Sequence, residues 1–127
     1  MIRFKKEPFN VQAHYKEFCA ASEAAVTAYD LGESVFDNPV DAVEHVRSRC
    51  RKTEFVIPRQ ITILLLRENG WTFPALSSVF GFKENATPQH HVRRLRDEIK
   101  VSKLRKREYS YAKLLYEENL NVLPDDL

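Results

Sequence analysis

Hydrophobic side chains recur along this sequence at the three- and four-residue spacing of amphipathic helices, and no segment alternates as a half-buried strand does. The first helical pattern follows Asn10, a favourable N-cap residue, and ends before Gly32. A second, shorter pattern opens at Asn38 and Pro39, because proline fits the first turn of a helix. The inward side chains are Val11, Tyr15, Phe18, Ser22, Ala25 and Tyr29 in the first helix, and Val40, Val43 and Val46 in the second.

The middle of the chain predicts one long and one short helix. Pro58 opens the long one, at residues 59 to about 69, and its centre at 61–66 is apolar on nearly every side. A helix of that composition is expected to be buried and central. Thr72 then caps a short helix that ends before Gly81. Its inward side chains are Leu76, Val79 and Phe80.

Two further helices complete the pattern. The fifth begins near Thr87 and Pro88, a cap residue followed by proline, and it is strongly basic outside its apolar face at Val92, Leu95 and Ile99. The last runs from about Ser110 to Leu120, before Pro124, and holds Tyr111, Leu114, Leu115 and Tyr116. The sequence therefore predicts an all-α fold of about six helices in a compact helical domain.

The net charge of +2 hides a strong segregation of charge along the chain. Residues 1–16 sum to +3, residues 17–44 to −7, residues 45–107 to +10 and residues 108–127 to −4. A stretch as basic as 45–107 is typical of a protein that binds a polyanion. A solvated, salt-bridged surface has the same composition, so charge alone does not decide between the two readings.

Several functional classes lack their sequence signals here. No run approaches the ~18 apolar residues of a membrane span, and the N-terminal residues have no secretory pattern, so we expect a cytoplasmic protein. Cys19 and Cys50 are too few for a disulfide framework. There is no phosphate-binding glycine motif, no metal-ligand spacing and no placed nucleophile and base. We therefore expect no enzyme activity, no cofactor and no metal.

The two helices on either side of Gly81 have the order of a helix-turn-helix. In that motif the second helix lies in the major groove of DNA, and residues at its N-terminus reach the base edges. The corresponding residues here are Glu84, Asn85, Ala86, Thr87 and Gln89. Carboxylate, amide and methyl groups suit the donors, acceptors and thymine methyl that bases present in that groove. Many helical proteins, however, contain two helices joined at a glycine turn.

Short motifs surround this helix pair along residues 49–99. In chain order they are Arg49-Cys50-Arg51, Pro58-Arg59-Gln60, Leu65-Leu66-Arg67-Glu68, Pro74, Leu76, Phe80-Gly81, Thr87, His90 and Arg94-Leu95. Their order resembles the C-terminal DNA-binding domain of the bacterial chromosomal replication initiator DnaA, over 51 of the 127 residues. The resemblance implies a helix-turn-helix of the replication-initiator, Trp-repressor-like type, localised with the nucleoid.

The resemblance also implies roles for individual residues. Arg51 would enter the minor groove, where negative potential is concentrated. Arg59, Gln60 and Arg67 would hold phosphates, and Pro74 and Arg94 would lie at backbone contacts. His90 matches a family histidine, either as a partly buried side chain that supports the helix or as a phosphate contact.

The base-reading positions depart from the family pattern. Glu84, Asn85, Ala86 and Thr87 stand where the family has Asp-His-Thr-Thr, so we expect a different target sequence in the same groove. Pro88 stands where the family has valine, and it would shift the helix start so that the Thr87 hydroxyl caps the backbone and is withheld from a base.

These observations predict one domain, 1–127, with an acidic N-terminal helix at 1–35, an initiator-like DNA-binding core at 38–100 and a C-terminal helix at 101–127. The expected partners are double-stranded DNA and a replication protein. The expected role is in replication initiation or its control. We expect the chain to be a monomer or a weak dimer. A transcription regulator of the same fold and a protein adaptor that docks through the terminal helices are the alternatives. The first helix either packs on the domain or self-associates, and an exposed stripe including Tyr111 and Leu115 would mark a partner site.

Overall fold

The computed structural model describes residues 14–32 and 39–123, and over these ranges it contains six α-helices and no strand. The helices are α1 (Tyr15–Ala28), α2 (Pro39–Arg47), α3 (Thr53–Glu68), α4 (Phe73–Phe80), α5 (Ala86–Val101) and α6 (Lys103–Val122). The predicted all-α fold is therefore confirmed for this part of the chain. Asn10, Val11, Asn38, Pro124 and the side chain of Val40 lie outside the described residues. None of the described helices is long and apolar enough to cross a membrane.

α1 is the most enclosed helix of the bundle, and it packs along α6 and against α2 and α3. Its buried side chains are Phe18, Cys19, Ala20, Ala21, Ser22, Ala24, Ala25, Val26 and Ala28. Small side chains allow neighbouring helices to approach closely, so α1 is buried on most of its circumference. Of the inward side chains that the sequence predicts, Phe18, Ser22 and Ala25 are buried, but the burial of α1 extends well beyond this one face.

The carboxylates of α1 are used inside the fold. Glu17 accepts a hydrogen bond from the indole Nε1–H of Trp71 at 2.9 Å, and Trp71 is fully buried. Glu23 is half-buried, and desolvation raises the pKa of its carboxyl group. Glu17 and Glu23 thus contribute to packing, whereas Asp30 and Glu44 of the same acidic segment are exposed.

α3 begins at Thr53, so the prediction that Pro58 opens this helix is wrong. Proline has no backbone N–H and leaves the carbonyl four residues earlier without its helical partner. That carbonyl belongs to Glu54, and the ring Nε2 of His45 lies 2.7 Å from it. Because His45 bonds the freed carbonyl and stacks on Phe55 at 4.1 Å, the helix tolerates an internal proline. Residues 57–66 are all buried, which confirms the predicted central position.

α6 begins at Lys103, seven residues before the predicted start, because the Ser102 hydroxyl caps it by accepting from the backbone N–H of Arg105 at 3.2 Å. In its first turns Glu108 is completely buried. The Glu108 carboxylate forms an ion pair with Arg105 and accepts a hydrogen bond from the backbone N–H of Asp30 at 2.7 Å. This bond fixes the 3-10 turn Tyr29–Gly32, in which Asp30 and Leu31 have left-handed φ angles of 54° and 57°.

The turn after α4 follows the prediction. The Thr72 hydroxyl caps α4 by accepting from the backbone N–H of Ala75 at 3.2 Å. Gly81 has a left-handed φ of 74°, and the Phe82 N–H donates back to the Ser77 carbonyl at 2.9 Å. This is a glycine C-cap, and it directs the chain from α4 towards α5.

Substitution of Gly81 by alanine is expected to lower the free energy of unfolding by about 1 to 2 kcal/mol, since an L-residue pays that cost in the left-handed region. An added Cβ would meet no atom within 4 Å, so the cost is purely conformational. Gly81→Asn should lose less, because asparagine tolerates this conformation better. Urea unfolding of both variants measures the difference, and equal losses would contradict this explanation.

Candidate nucleic-acid interface

The N-terminal half of α5 has one buried side and one solvent-facing side. Pro88, Val92 and Leu95 are buried. The exposed residues in and just before this half are Glu84, Asn85, Ala86, Gln89, His90, Arg93 and Arg94. The structure thus brings most of the predicted base-reading residues to one exposed helix end.

The helix start differs from the prediction. Asn85 occupies the N-cap position, and its side chain makes no cap hydrogen bond. Thr87 is the second helical residue and half-buried, so the expectation that its hydroxyl caps the helix is wrong. The turn before α5 is held instead by buried Ser77, whose hydroxyl donates to the Glu84 carbonyl at 3.2 Å.

A cationic loop, residues 48–52, lies beside α5 and exposes Arg49, Arg51 and Lys52. The loop is anchored by Arg59 of α3. The Arg59 Nε–H donates to the Val46 carbonyl at 3.0 Å, and its terminal nitrogen donates to the carbonyls of Ser48 and, at 3.0 Å, Cys50. Three carbonyl contacts from one planar group fix the loop relative to α3.

Two of the residues that the resemblance assigns to phosphates lie inside the structure. Arg59 is 8% exposed, and burial lowers the pKa of its guanidinium. Gln60 is 2% exposed, and its amide Nε2 lies 3.4 Å from Nδ1 of His91. Neither side chain is presented to an external phosphate. Arg59 instead positions the loop that carries Arg51.

A basic groove runs between the cationic loop and α5. It consists of two adjoining clefts of about 480 and 460 Å³ that share Arg51 and His91. Its lining cations are Arg47, Arg49, Arg51, Arg59, Lys83, Arg94 and Arg105. Arg47, Lys83 and Arg105 were not singled out from the sequence, and only the charge of the 45–107 stretch pointed to them.

The other flank of α5 faces the start of α4. Arg67 donates to the Trp71 carbonyl at 3.1 Å and lies over the Phe73 ring at 4.1 Å, and Pro74 beside it is exposed. A cleft of about 310 Å³ separates Phe73 from Gln89 and the basic side chains of α5. Residues to which the resemblance assigns DNA contacts therefore lie on both sides of α5, with Arg51 on one flank and Arg67 and Pro74 on the other.

The two adjacent histidines of α5 have different surroundings. His90 is exposed, so the reading of it as a partly buried support is wrong. The partly buried histidine is instead His91, whose ring stacks on that of Phe82 with 5.8 Å between the centroids. Burial, together with the charges of Arg59, His90 and Arg94, lowers the pKa of His91 to about 4. His91 is therefore neutral at pH 7.

Two of the α5 arginines lie near carboxylates. Arg94 is 3.4 Å from Glu98, and Arg96 is 3.9 Å from Glu68. Exposed pairs of this kind are weak, so the arginines stay available to another anion. Among residues 14–32 and 39–123, no group of three or more His, Cys, Asp or Glu side chains is arranged to hold a metal ion.

Comparisons of the chain with protein-family models, curated proteins and solved structures find no match. The likeness to the initiator domain therefore rests on the order of residues within 49–99 alone.

Replacement of Arg59 by methionine is expected to lower the free energy of unfolding by about 2 to 3 kcal/mol, because it removes charge-assisted bonds to one carbonyl of α2 and two carbonyls of the loop. The matched control is Arg51→Met, which removes an exposed cation from the same loop and should change stability by less than about 0.5 kcal/mol. Urea unfolding at pH 7 measures both. Equal effects of the two substitutions would refute the anchoring role of Arg59.

Acidification is expected to destabilise the fold through His91. Its folded pKa of about 4 lies below the unfolded value of 6.5, so the unfolded chain binds the additional proton between these values. The stability is complete above pH 6.5 and falls as the pH drops towards 4, by at most about 3 kcal/mol. Urea unfolding at pH 7 and 4.5 should show this loss in the unmodified protein and a smaller one in His91→Gln. The two proteins differ only at residue 91, so the difference between their losses isolates the contribution of His91.

Proposed function

We propose that this chain binds double-stranded DNA with sequence selectivity and that α5 is its recognition helix. The observation that carries the proposal is the exposed N-terminal end of α5, which presents polar side chains and arginines between two basic flanks. The major groove admits one α-helix and displays a distinct pattern of donors and acceptors for each base pair. An exposed helix end of this composition fits that groove.

Each side chain at this helix end has the chemistry to contact a particular base. The amides of Asn85 and Gln89 pair with the N6 and N7 atoms of adenine, and the Glu84 carboxylate accepts from N4 of cytosine. The Ala86 methyl group contacts the methyl group of thymine. Asn85 supports this assignment because its amide makes no cap bond within the protein.

The flanks supply phosphate and minor-groove contacts. Arg51 extends from the anchored loop into the minor groove, where a narrow groove favours an inserted arginine. Arg94 binds the backbone beside it, while Arg67 and Pro74 approach the backbone on the opposite flank. Such contacts set register and affinity and leave the choice of sequence to α5. Arg59 acts through the loop it anchors.

The resemblance to the initiator domain favours a role in replication initiation or its control, with the protein associated with the nucleoid and with a replication protein as a second partner. A transcription regulator that uses the same surface is the alternative role. Occupied sites mapped in cells, at an origin or at promoters, distinguish the two.

The binding experiment titrates fluorescent duplexes that carry initiator-type boxes, and shuffled controls, at several salt concentrations. Affinity should fall linearly on logarithmic axes, with a slope of about 0.9 per phosphate contact. Arg51→Ala should weaken binding to every duplex and reduce that slope. Asn85→Ala should cost about 1 to 3 kcal/mol on the preferred duplex only.

Lys106→Ala is the matched control, because Lys106 is an exposed cation of α6 that lines neither cleft of the basic groove. It should leave affinity and salt slope unchanged. No binding to any duplex at low salt would exclude the proposal. Equal effects of Asn85→Ala across a randomised duplex library would exclude α5 as the reading element.

A further inference from the structure

A row of apolar side chains on α6 is exposed to solvent. The exposed fractions are 40% for Leu104, 38% for Tyr111, 63% for Leu114 and 80% for Val122. At 3.6 residues per turn these four side chains fall on one side of the helix, and we call them the α6 stripe. Leu115 borders the stripe and packs partly on the core. Apolar side chains exposed in a row indicate an interaction surface, and none of these lines the basic groove.

Charge along α6 is divided between its two halves. Lys103, Lys106 and Arg107 are exposed in the N-terminal half, whereas Glu117 and Glu118 are exposed in the C-terminal half. By helical spacing Arg107 and Glu118 lie on the side of the stripe, one near each end. The surface is therefore complementary to a copy of itself that runs in the opposite direction.

Two pairs of apolar positions have the same symmetry. Leu104 and Val122 are each nine residues from Lys113, and Tyr111 and Leu115 are each two residues from it. In an antiparallel pair Leu104 meets Val122 of the second copy, and Tyr111 meets Leu115. Lys113 itself projects from the opposite side of the helix, where it lies 4.0 Å from Glu68, so no like charges meet at the axis.

We propose that two copies of this chain associate through the α6 stripe in an antiparallel arrangement. A twofold axis repeats each contact, so two Arg107–Glu118 pairs form in the dimer. A parallel arrangement would instead place Arg107 against Arg107 and Glu118 against Glu118. A contact along one helix face is smaller than the standard interface of about 1,200 to 2,000 Å², so the dimer is weak and depends on concentration.

Sedimentation equilibrium of the full chain without DNA tests the proposal independently of the DNA-binding function. The average mass should rise from monomer towards dimer between about 1 µM and about 1 mM protein. Arg107→Glu alone and Glu118→Arg alone should each raise the dissociation constant about tenfold, since two attractive pairs become repulsive. Lys106→Glu, with the same charge change on another side of α6, should leave it unchanged.

The single variants distinguish the two arrangements, because a parallel pair already opposes like charges and would lose nothing from either substitution. Mixing the two variants then tests whether charge pairing causes the losses. In a heterodimer of Arg107→Glu with Glu118→Arg, both charge pairs are attractive again in the antiparallel arrangement, so the mixture should associate more strongly than either variant alone. The substituted residues are exposed, and circular dichroism checks that each variant is folded. A protein that stays monomeric at about 1 mM, or a mixture that associates no better than its components, would overturn the proposal.

Discussion

The small side chains of α1 are the constraint on which the rest of the bundle depends. Because Ala20, Ala24 and their neighbours occupy little space, α6 and α3 can both pack closely against α1. The closeness is visible where the Asn119 amide of α6 donates to the Ala20 carbonyl of α1 at 3.2 Å. α5 in turn packs on α3 and α6, so its direction depends on how α1 holds those two helices.

One buried cation, Arg59, connects this core to the basic groove. Arg59 projects from α3, the helix that packs on α1, and bonds the carbonyls that precede and include the cationic loop. Burying a guanidinium is costly unless its hydrogen bonds are satisfied, and carbonyl oxygens satisfy them here without neutralising the charge. The charge of Arg59 thus persists beneath the groove, where it helps to keep His91 neutral.

The sequence predicted the existence of the six α-helices in the described ranges and the exposed end of α5, because these follow from local periodicity, caps and glycine turns. It misplaced the start of α3, because the acceptance of Pro58 depends on His45, a side chain from another helix. Order along the chain likewise matched Arg59 and Gln60 to surface contacts, yet Arg59 is buried under the loop and Gln60 lies against His91 of α5. Contacts between elements that are distant in sequence leave no periodic signal. The start of α3 and the burial of Arg59 and Gln60 therefore become evident only in the folded structure.

The distribution of charge on the surface also depends on the fold and does not follow from sequence order alone. The stretch 45–107 carries fifteen basic residues, but several of them bond within the protein, among them Arg59 to backbone carbonyls, Arg67 to Trp71 and Arg105 to Glu108. Of the exposed cations that remain, some line the basic groove, and Arg93, Arg96 and Lys100 line the cleft on the other flank of α5. Others lie at the start of α6, where acidic residues follow later on the same helix. A block of positive charge in sequence thus becomes surfaces of two kinds, one around α5 and one along α6. The surface around α5 is predominantly basic, although Glu98 also lines the groove, and it suits a polyanion, whereas the surface of α6 carries both signs and suits a copy of itself.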